Sequence, residues 1–182
     1  MPKGGVLVHG LTKGLEELRK SGELSWLRPD GKAQITMRGN DVESVLVSTQ
    51  HSEDVSQEKI REDLVSKLIK PTIGGDNYKI FVNPTGKFVL GGFAADTGLT
   101  GRKIMVDTYG GLIQHGGGAF SGKDATKVDR SAAYMARFAA KNAVAKGLGK
   151  KVLISVSYAI GHEFPLMIEA MNEKGEDVSD WV

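Results

Sequence analysis

Between Gly91 and Gly122 the chain is rich in glycine and poor in bulky residues, apart from the strand-like run Lys103 to Tyr109. Glycine has no side chain to pack and loses the most backbone freedom on folding, so one packed unit ends where this composition begins and another starts there. Two units are expected, residues 1–90 and residues 91–182. A chain of 182 residues with 40% hydrophobic content is long enough for one full domain plus part or all of a second.

In the first unit, Leu7, Leu11, Leu15 and Leu18 recur at helical spacing while the charged residues fall mostly elsewhere, and Gly22 suits a C-terminal cap. The spacing predicts an amphipathic helix over 7–20. Ala33, Ile35 and Met37 then alternate with Gln34, Thr36 and Arg38, and the run Ser44 to Thr49 follows the turn-prone Gly39-Asn40-Asp41, predicting two paired strands. Ile60, Leu64 and Leu68 repeat on one face of a second helix, entered near Ser56 and stopped by Pro71. Tyr78 to Val82 resumes as strand, and Asn83-Pro84-Thr85-Gly86 has the composition of a tight turn. This order suits an α+β fold with helices on one face of a mostly antiparallel sheet.

The second unit holds the longest helical pattern, Thr126 to Lys146, with Val128, Ala132, Met135 and Ala139 on one stripe and Gly147 and Gly149 closing it. Strands at Lys151 to Ile160 and Leu166 to Met171 are expected to cover that stripe. The polar, acidic end from Asn172 to Val182 is expected to be frayed or lightly docked.

A formal net charge of +2 from nearly balanced acids and bases gives no generally basic surface, so neither nucleic acid nor an anionic membrane is indicated, and any anion site must be local. No cysteine is present, which excludes disulfides and thiolate metal sites and fits a reducing cytosol. The start has no apolar run of signal-peptide or membrane-spanning length, so a soluble, cytoplasmic chain is expected.

The most informative stretch is Tyr109 to Asp124, a glycine-rich connector leading into the long helix. Glycines there let backbone amides turn toward an anion, and a following helix N-terminus adds a favourable dipole. Gly117 to Lys123 nearly has P-loop spacing, but Asp124 stands where Ser or Thr should hold magnesium, which disfavours an ordinary P-loop NTPase. His115-Gly116-Gly117-Gly118 is similar to a hydrolase oxyanion loop, yet no nucleophile elbow exists in the chain. Arg102, Lys103, Lys123 and Lys127 gather near this turn in sequence and could neutralise a polyphosphate, and Asp129 among them would suit magnesium. Singly, each reads as a solvated surface charge; as a cluster, ligand binding is the better reading. Pro29-Asp30-Gly31-Lys32 alone reads as a turn, Phe88 alone as core, and His9, His51, His115 and His162 as local polar groups without metal-ligand spacing.

Taken together, Trp26 to Lys32, Val47 to Ser52, Asn83 to Gly86, Gly98 to Lys103, Asp107 to Gly111, His115 to Asp124 and Lys127 to Tyr134 closely resemble methionine adenosyltransferases, in content and in order. The resemblance runs from about Leu11 to about Ile160. It implies an S-adenosylmethionine synthetase-like α+β fold in two related units, 1–90 nearly whole and 91–182 partial. It also implies an activity that forms S-adenosylmethionine from ATP and L-methionine, releasing phosphate and pyrophosphate, at sites shared between subunits of a dimer. Carried over by position, Asp30, Gly31 and Lys32 resemble ATP contacts, and Lys87 and Phe88 the adenine-stacking element. Asp96 resembles a contact to both methionine and ATP. Arg102, Lys103 and Lys123 resemble the triphosphate clamp and the catalytic cations, with Ala119 lining it. Lys127 and Ile160 resemble methionine contacts, and Asp129 a magnesium ligand.

The resemblance has gaps. The family's amino-terminal Gly-His-Pro-Asp-Lys segment, with a magnesium aspartate and a potassium glutamate, has no counterpart, nor does its carboxyl-terminal part. Phe93-Ala94-Ala95 and His162-Glu163-Phe164 depart from the usual loops. Impaired catalysis by the isolated chain is therefore expected, with a non-catalytic ATP or triphosphate-binding or assembly module, or an engineered piece of the family, as alternatives.

Overall fold

In the computed structural model, which describes residues 1–182, helix α1 spans Lys3–Lys20. It begins four residues before the apolar spacing starts, because Pro2 needs no hydrogen-bonded N–H at a helix start. Gly4 lies where a Cβ would sit 2.9 Å from Met37 Sδ, so the first turn packs closely and tolerates glycine for its lack of bulk. Leu11 and Leu15 are buried.

Strands β1 (Leu27–Arg38) and β2 (Asp41–His51) form an antiparallel hairpin. Arg38 faces Asp41, leaving Gly39-Asn40 as a two-residue loop with Gly39 at φ 59°, the conformation that glycine adopts freely. Strand β3 (Lys79–Val82) joins the other edge of β2 in parallel, so the three-stranded sheet runs β1-β2-β3 with one antiparallel and one parallel pair. Along β2, Val45, Val47, Thr49 and His51 all face inward, as period-2 geometry requires. The first two meet Leu11, Ile60, Leu64 and Ile69 in the core, which puts the helices on one sheet face.

Helix α2 (Gln57–Leu64) is capped by Ser56, whose Oγ accepts from Lys59 N at 3.2 Å. Pro71 does not stop the helix as the sequence suggests. A π-helical turn over Val65–Ile69 leads into α3 (Lys70–Ile73), with Pro71 in its first turn and Gly74 ending it at φ 74°. The widened turn carries the chain through with Pro71 at a helix start, where its missing N–H leaves no bond unmade.

The second unit is built on α4 (Val128–Ala145) and an antiparallel pair, β4 (Val152–Ser157) and β5 (Met167–Asn172). Two expectations fail here. Lys103 to Tyr109 forms turns rather than a strand: no partner strand is available, so its amides bond locally, Asp107 N to Lys103 O at 3.0 Å and Gly110 N to Met105 O at 2.8 Å. The stripe through Val128 and Met135 faces solvent, and α4 instead turns its small side toward the strands, with Ala143 buried. The tail is docked: Val178 N donates to Ala170 O, Ala170 N donates to Ser179 Oγ, and Asn172 Oδ1 accepts from Lys174 N and Glu176 N.

The chain divides into compact units at Met1–Leu99 and Thr100–Val182. Together they make an α+β protein whose small sheets are mainly antiparallel. No helix is long and apolar enough to cross a membrane.

Candidate functional site

In the first unit, Pro29-Asp30-Gly31-Lys32 lies inside β1 and is not a free turn. The register slips between Leu27 and Gly31, so the backbone bulges over the stretch that carries Asp30. Gly31 comes so near β2 that a Cβ would sit 3.2 Å from Ser48 O. Asp30, half-buried, accepts from Gly92 N through Oδ2 at 2.9 Å, which brings the segment after Phe88 onto the bulge. Phe88 itself is half-buried beside the end of β2, where His51 N donates to its carbonyl at 3.0 Å. Asp96 N reaches back to Gly92 O at 3.0 Å, and its carboxylate accepts from Gly98 N at 2.8 Å. Asp30, Phe88 and the Gly92 to Asp96 turn are thus tied into one neighbourhood. The amines of Lys32 and Lys87 stand in solvent. Asp30 and Gly31 also line a cleft of about 310 Å³ walled by Thr12, Arg19 and Arg28; the two arginines there have no signal in sequence spacing.

The expected turn at Asn83 to Gly86 forms, with Gly86 N bonded to Asn83 O at 2.8 Å. Asn83 takes φ 41°, and its buried amide pairs with Thr49 in both directions, accepting from N at 2.8 Å and donating to O at 3.2 Å. The side chain continues the ladder that β3 has just left.

In the second unit, Lys123 Nζ meets Asp129 Oδ2 at 2.6 Å across the junction of the glycine-rich segment and α4. A Cβ on Gly118 would overlap Asp129, at 2.7 Å, so the glycine admits the carboxylate. Gly101, at φ 81°, brings the segment bearing Arg102 against Ala119, with 3.2 Å between its missing Cβ and the alanine methyl. Arg102 and Lys103 are exposed. Lys127 is turned toward Asp124, at 3.8 Å. Asp124 is held below the ordinary carboxylate range by hydrogen bonds from Thr126, side chain first and then backbone, with lesser help from Arg130 and Lys127. Ile160, beyond the end of β4, is fully exposed.

Residues to which the sequence assigns no role hold this cluster in place. Arg130 Nη1 donates to the Lys123 carbonyl, and its guanidinium lies 5.6 Å from the Tyr134 ring. Tyr134 packs on Phe120, 5.8 Å between centroids, so the loop is stapled to α4 by an aromatic contact. Arg137 donates to Tyr109 Oη at 2.9 Å.

No group of three histidine or acidic residues is placed to hold a metal ion. Asp129, the expected magnesium ligand, is engaged by Lys123, so the residues present do not by themselves fit a metal.

Residues 1–88 match the central domain of S-adenosylmethionine synthetase, and residues 90–181 match its C-terminal domain. The S-adenosylmethionine synthase of Streptococcus uberis is 55% identical over 178 residues, covering 92% of this chain and 45% of that protein. Its counterpart in Deinococcus deserti is 52% identical over 193 aligned positions, covering 99% and 48%. That of Lacticaseibacillus casei is 55% identical over 178 residues. The chain spans about half the length of these curated relatives. With nearly every residue accounted for by the two domain matches, the chain belongs to the S-adenosylmethionine synthetase family.

Proposed function

We propose that this chain binds ATP and L-methionine for S-adenosylmethionine formation, with Asp30, Gly31, Lys87, Phe88 and Asp96 at the adenosine end, and Lys32, Arg102, Lys103, Ala119 and Lys123 at the phosphates. Lys127, Ile160 and Asp96 are assigned to methionine. The observation that carries the reading is the glycine-rich segment stapled to α4, with Lys123 at their junction and the Arg102 segment packed on Ala119. In the reaction the thioether sulfur attacks C5′, a C–S bond forms, and the C5′–O bond breaks with its electron pair leaving on the triphosphate. Charge grows on that leaving group, and a preorganised donor at such a position contributes roughly 3–4 kcal/mol. Holding sulfur, carbon and oxygen in line supplies a further part of the rate. Hydrolysis of the triphosphate then gives phosphate and pyrophosphate.

Magnesium, if it came with the triphosphate, would supply neutralisation of phosphate charge; Asp129 would be the carboxylate to meet it only once released from Lys123. No residue here is assigned to potassium. Because the chain does not build a metal site alone, it is expected to make little S-adenosylmethionine by itself. We place it in the cytoplasm, where ATP and methionine are at hand, and as an oligomer of at least two copies, since the second unit exposes large apolar side chains.

Calorimetric titration with inorganic tripolyphosphate and with adenosine tests the assignment. Lys123→Ala should weaken tripolyphosphate roughly three- to tenfold, the range for a partly solvated charge contact, and leave adenosine unchanged. Phe88→Ala should do the reverse. Equal losses for both ligands in both variants, or no binding at low salt, would overturn it.

A further inference from the structure

We infer that His51 and Gln50 are positioning residues that register the Phe88 to Gly92 segment against Asp30 and so set the shape of the adenosine end of the site. This rests on the proposal that Asp30 and Phe88 meet adenosine.

His51 ends β2 on its inward face and is 1% exposed. Its Nδ1 lies 2.7 Å from Ser52 O, an acceptor only, so this nitrogen carries the proton. Nε2 is then the lone-pair nitrogen, and it accepts the Phe88 N–H at 3.0 Å, with the Gln57 amide also within 3.2 Å. The backbone of the same residue donates to Phe88 O at 3.0 Å. Both backbone polar groups of Phe88 are therefore held by one residue, which fixes the orientation of its peptide planes and the base of its ring.

Gln50, on the opposite face of β2, takes the next part of the segment. Its Nε2 donates to Val89 O at 3.0 Å, and its Oε1 lies 3.4 Å from Asp30 N. Its side chain passes under Gly91, where a Cβ would come within 2.8 Å, so any larger residue there would push the Gln50 amide aside. Gly92 N then closes the clamp on Asp30 Oδ2.

Apolar burial does not explain why this segment holds its path. Leu90 is 69% exposed and Phe93 91% exposed, and between Phe88 and Gly91 the chain has no regular secondary structure. Polar side chains reaching from β1 and β2 impose the conformation instead. Such bonds specify a geometry where packing leaves it free.

The test uses the whole chain, with adenosine and inorganic tripolyphosphate as separate probes and amide hydrogen exchange at Phe88 as a ligand-free readout. His51→Phe fills the volume but removes the acceptor. It should speed exchange at Phe88 and weaken adenosine three- to tenfold, the loss of one to two hydrogen bonds, with tripolyphosphate unchanged. His51→Gln, which can present an oxygen near the Nε2 position, should restore most of both. Should His51→Phe fail to fold, Gln50→Leu, at a half-buried position, carries the test with the same expected split between the two ligands. Unchanged Phe88 exchange in the unrescued variants, or equal losses for both probes, would overturn the inference. A parent chain that binds no adenosine would instead overturn the assignment of Asp30 and Phe88, and exchange at Phe88 would still decide whether the clamp exists.

Discussion

Asp63 is 4% exposed and holds two elements together: Trp26 Nε1 donates to its Oδ2 at 3.0 Å, and Lys59 Nζ to its Oδ1 at 2.9 Å. Burial alone would raise its pKa, but the hydrogen bonds from Lys59 and Trp26, with the charges of Lys59 and Lys67, outweigh it and hold the carboxyl below its ordinary range. A carboxyl depressed on folding contributes stability that is full above its unfolded value, about 3.9, and is lost as pH falls through the lower folded value. Asp63→Asn keeps an acceptor for Trp26 and loses the charge for Lys59. It should cost about 1–3 kcal/mol at pH 7, and its urea midpoint should fall less than the parent's between pH 5 and pH 3. Parallel pH curves for the two proteins would refute this. The pairing of Trp26 with Asp63 is illegible in the sequence because it spans two elements whose docking no local pattern states. The Ser56 cap is legible, since a hydroxyl just before a helical repeat satisfies amides only three residues away. The same divide runs through the candidate site. The cations at Arg102, Lys103 and Lys123 can be picked out as a group along the chain, but the engagement of Lys123 by Asp129 and the hold of Arg130 on the loop depend on how the segment meets α4.

Helix α1 shows how neighbours override local preference. Its glycines would argue against helix by propensity, yet Gly14 lies where a Cβ would come 2.5 Å from Leu68 Cδ1, a side chain only 2% exposed. Glycine there permits close approach of two helices. Gly14→Ala gains about 1 kcal/mol of helix propensity but overpacks a buried leucine at about 1–3 kcal/mol, so net destabilisation of roughly 1 kcal/mol is expected. Gly5→Ala meets only Met1, at 3.5 Å, and should stabilise by about 0.5–1 kcal/mol. Thermal unfolding of the two variants checks both signs, and a Gly14→Ala protein more stable than its parent would show that Leu68 yields freely. The alternation in β1 and the leucine repeat of α1 are legible because each encodes a face of its own element. Lys103 to Tyr109 departs from its expected strand because β-rich composition states a capacity to pair, and the chain offers that run no partner. The buried side of α4 differs from the expected one for a related reason: its larger apolar residues mark a face able to be covered, whereas close packing on β4 selects the alanines.

At the scale of the whole chain, the two units differ in what holds them. All the large buried apolar side chains, from Leu11 to Ile69, belong to the first unit, whereas the buried apolar residues of the second are Ala143 and Ala170. Alanine burial supplies little transfer free energy, since that term grows with the apolar area removed from water. Meanwhile α4 presents Met135 and Phe138, each 64% exposed, to solvent. A helix and a two-stranded pair without a bulky core open easily by local unfolding, and a second copy that covers their apolar side stabilises them by mass action. Amide exchange at α4 and β4–β5 should therefore slow as protein concentration is raised from the micromolar to the high-micromolar range. Exchange at the inward residues of β2 and in α2 should stay constant, since their protection comes from a core already closed. Sedimentation over the same range should show mass rising with concentration. Exchange in α4 that is as slow as in β2 at the lowest concentration, with a mass fixed at one chain, would mean that the second unit is stable without cover, and the proposal that copies of this chain associate through it would fail.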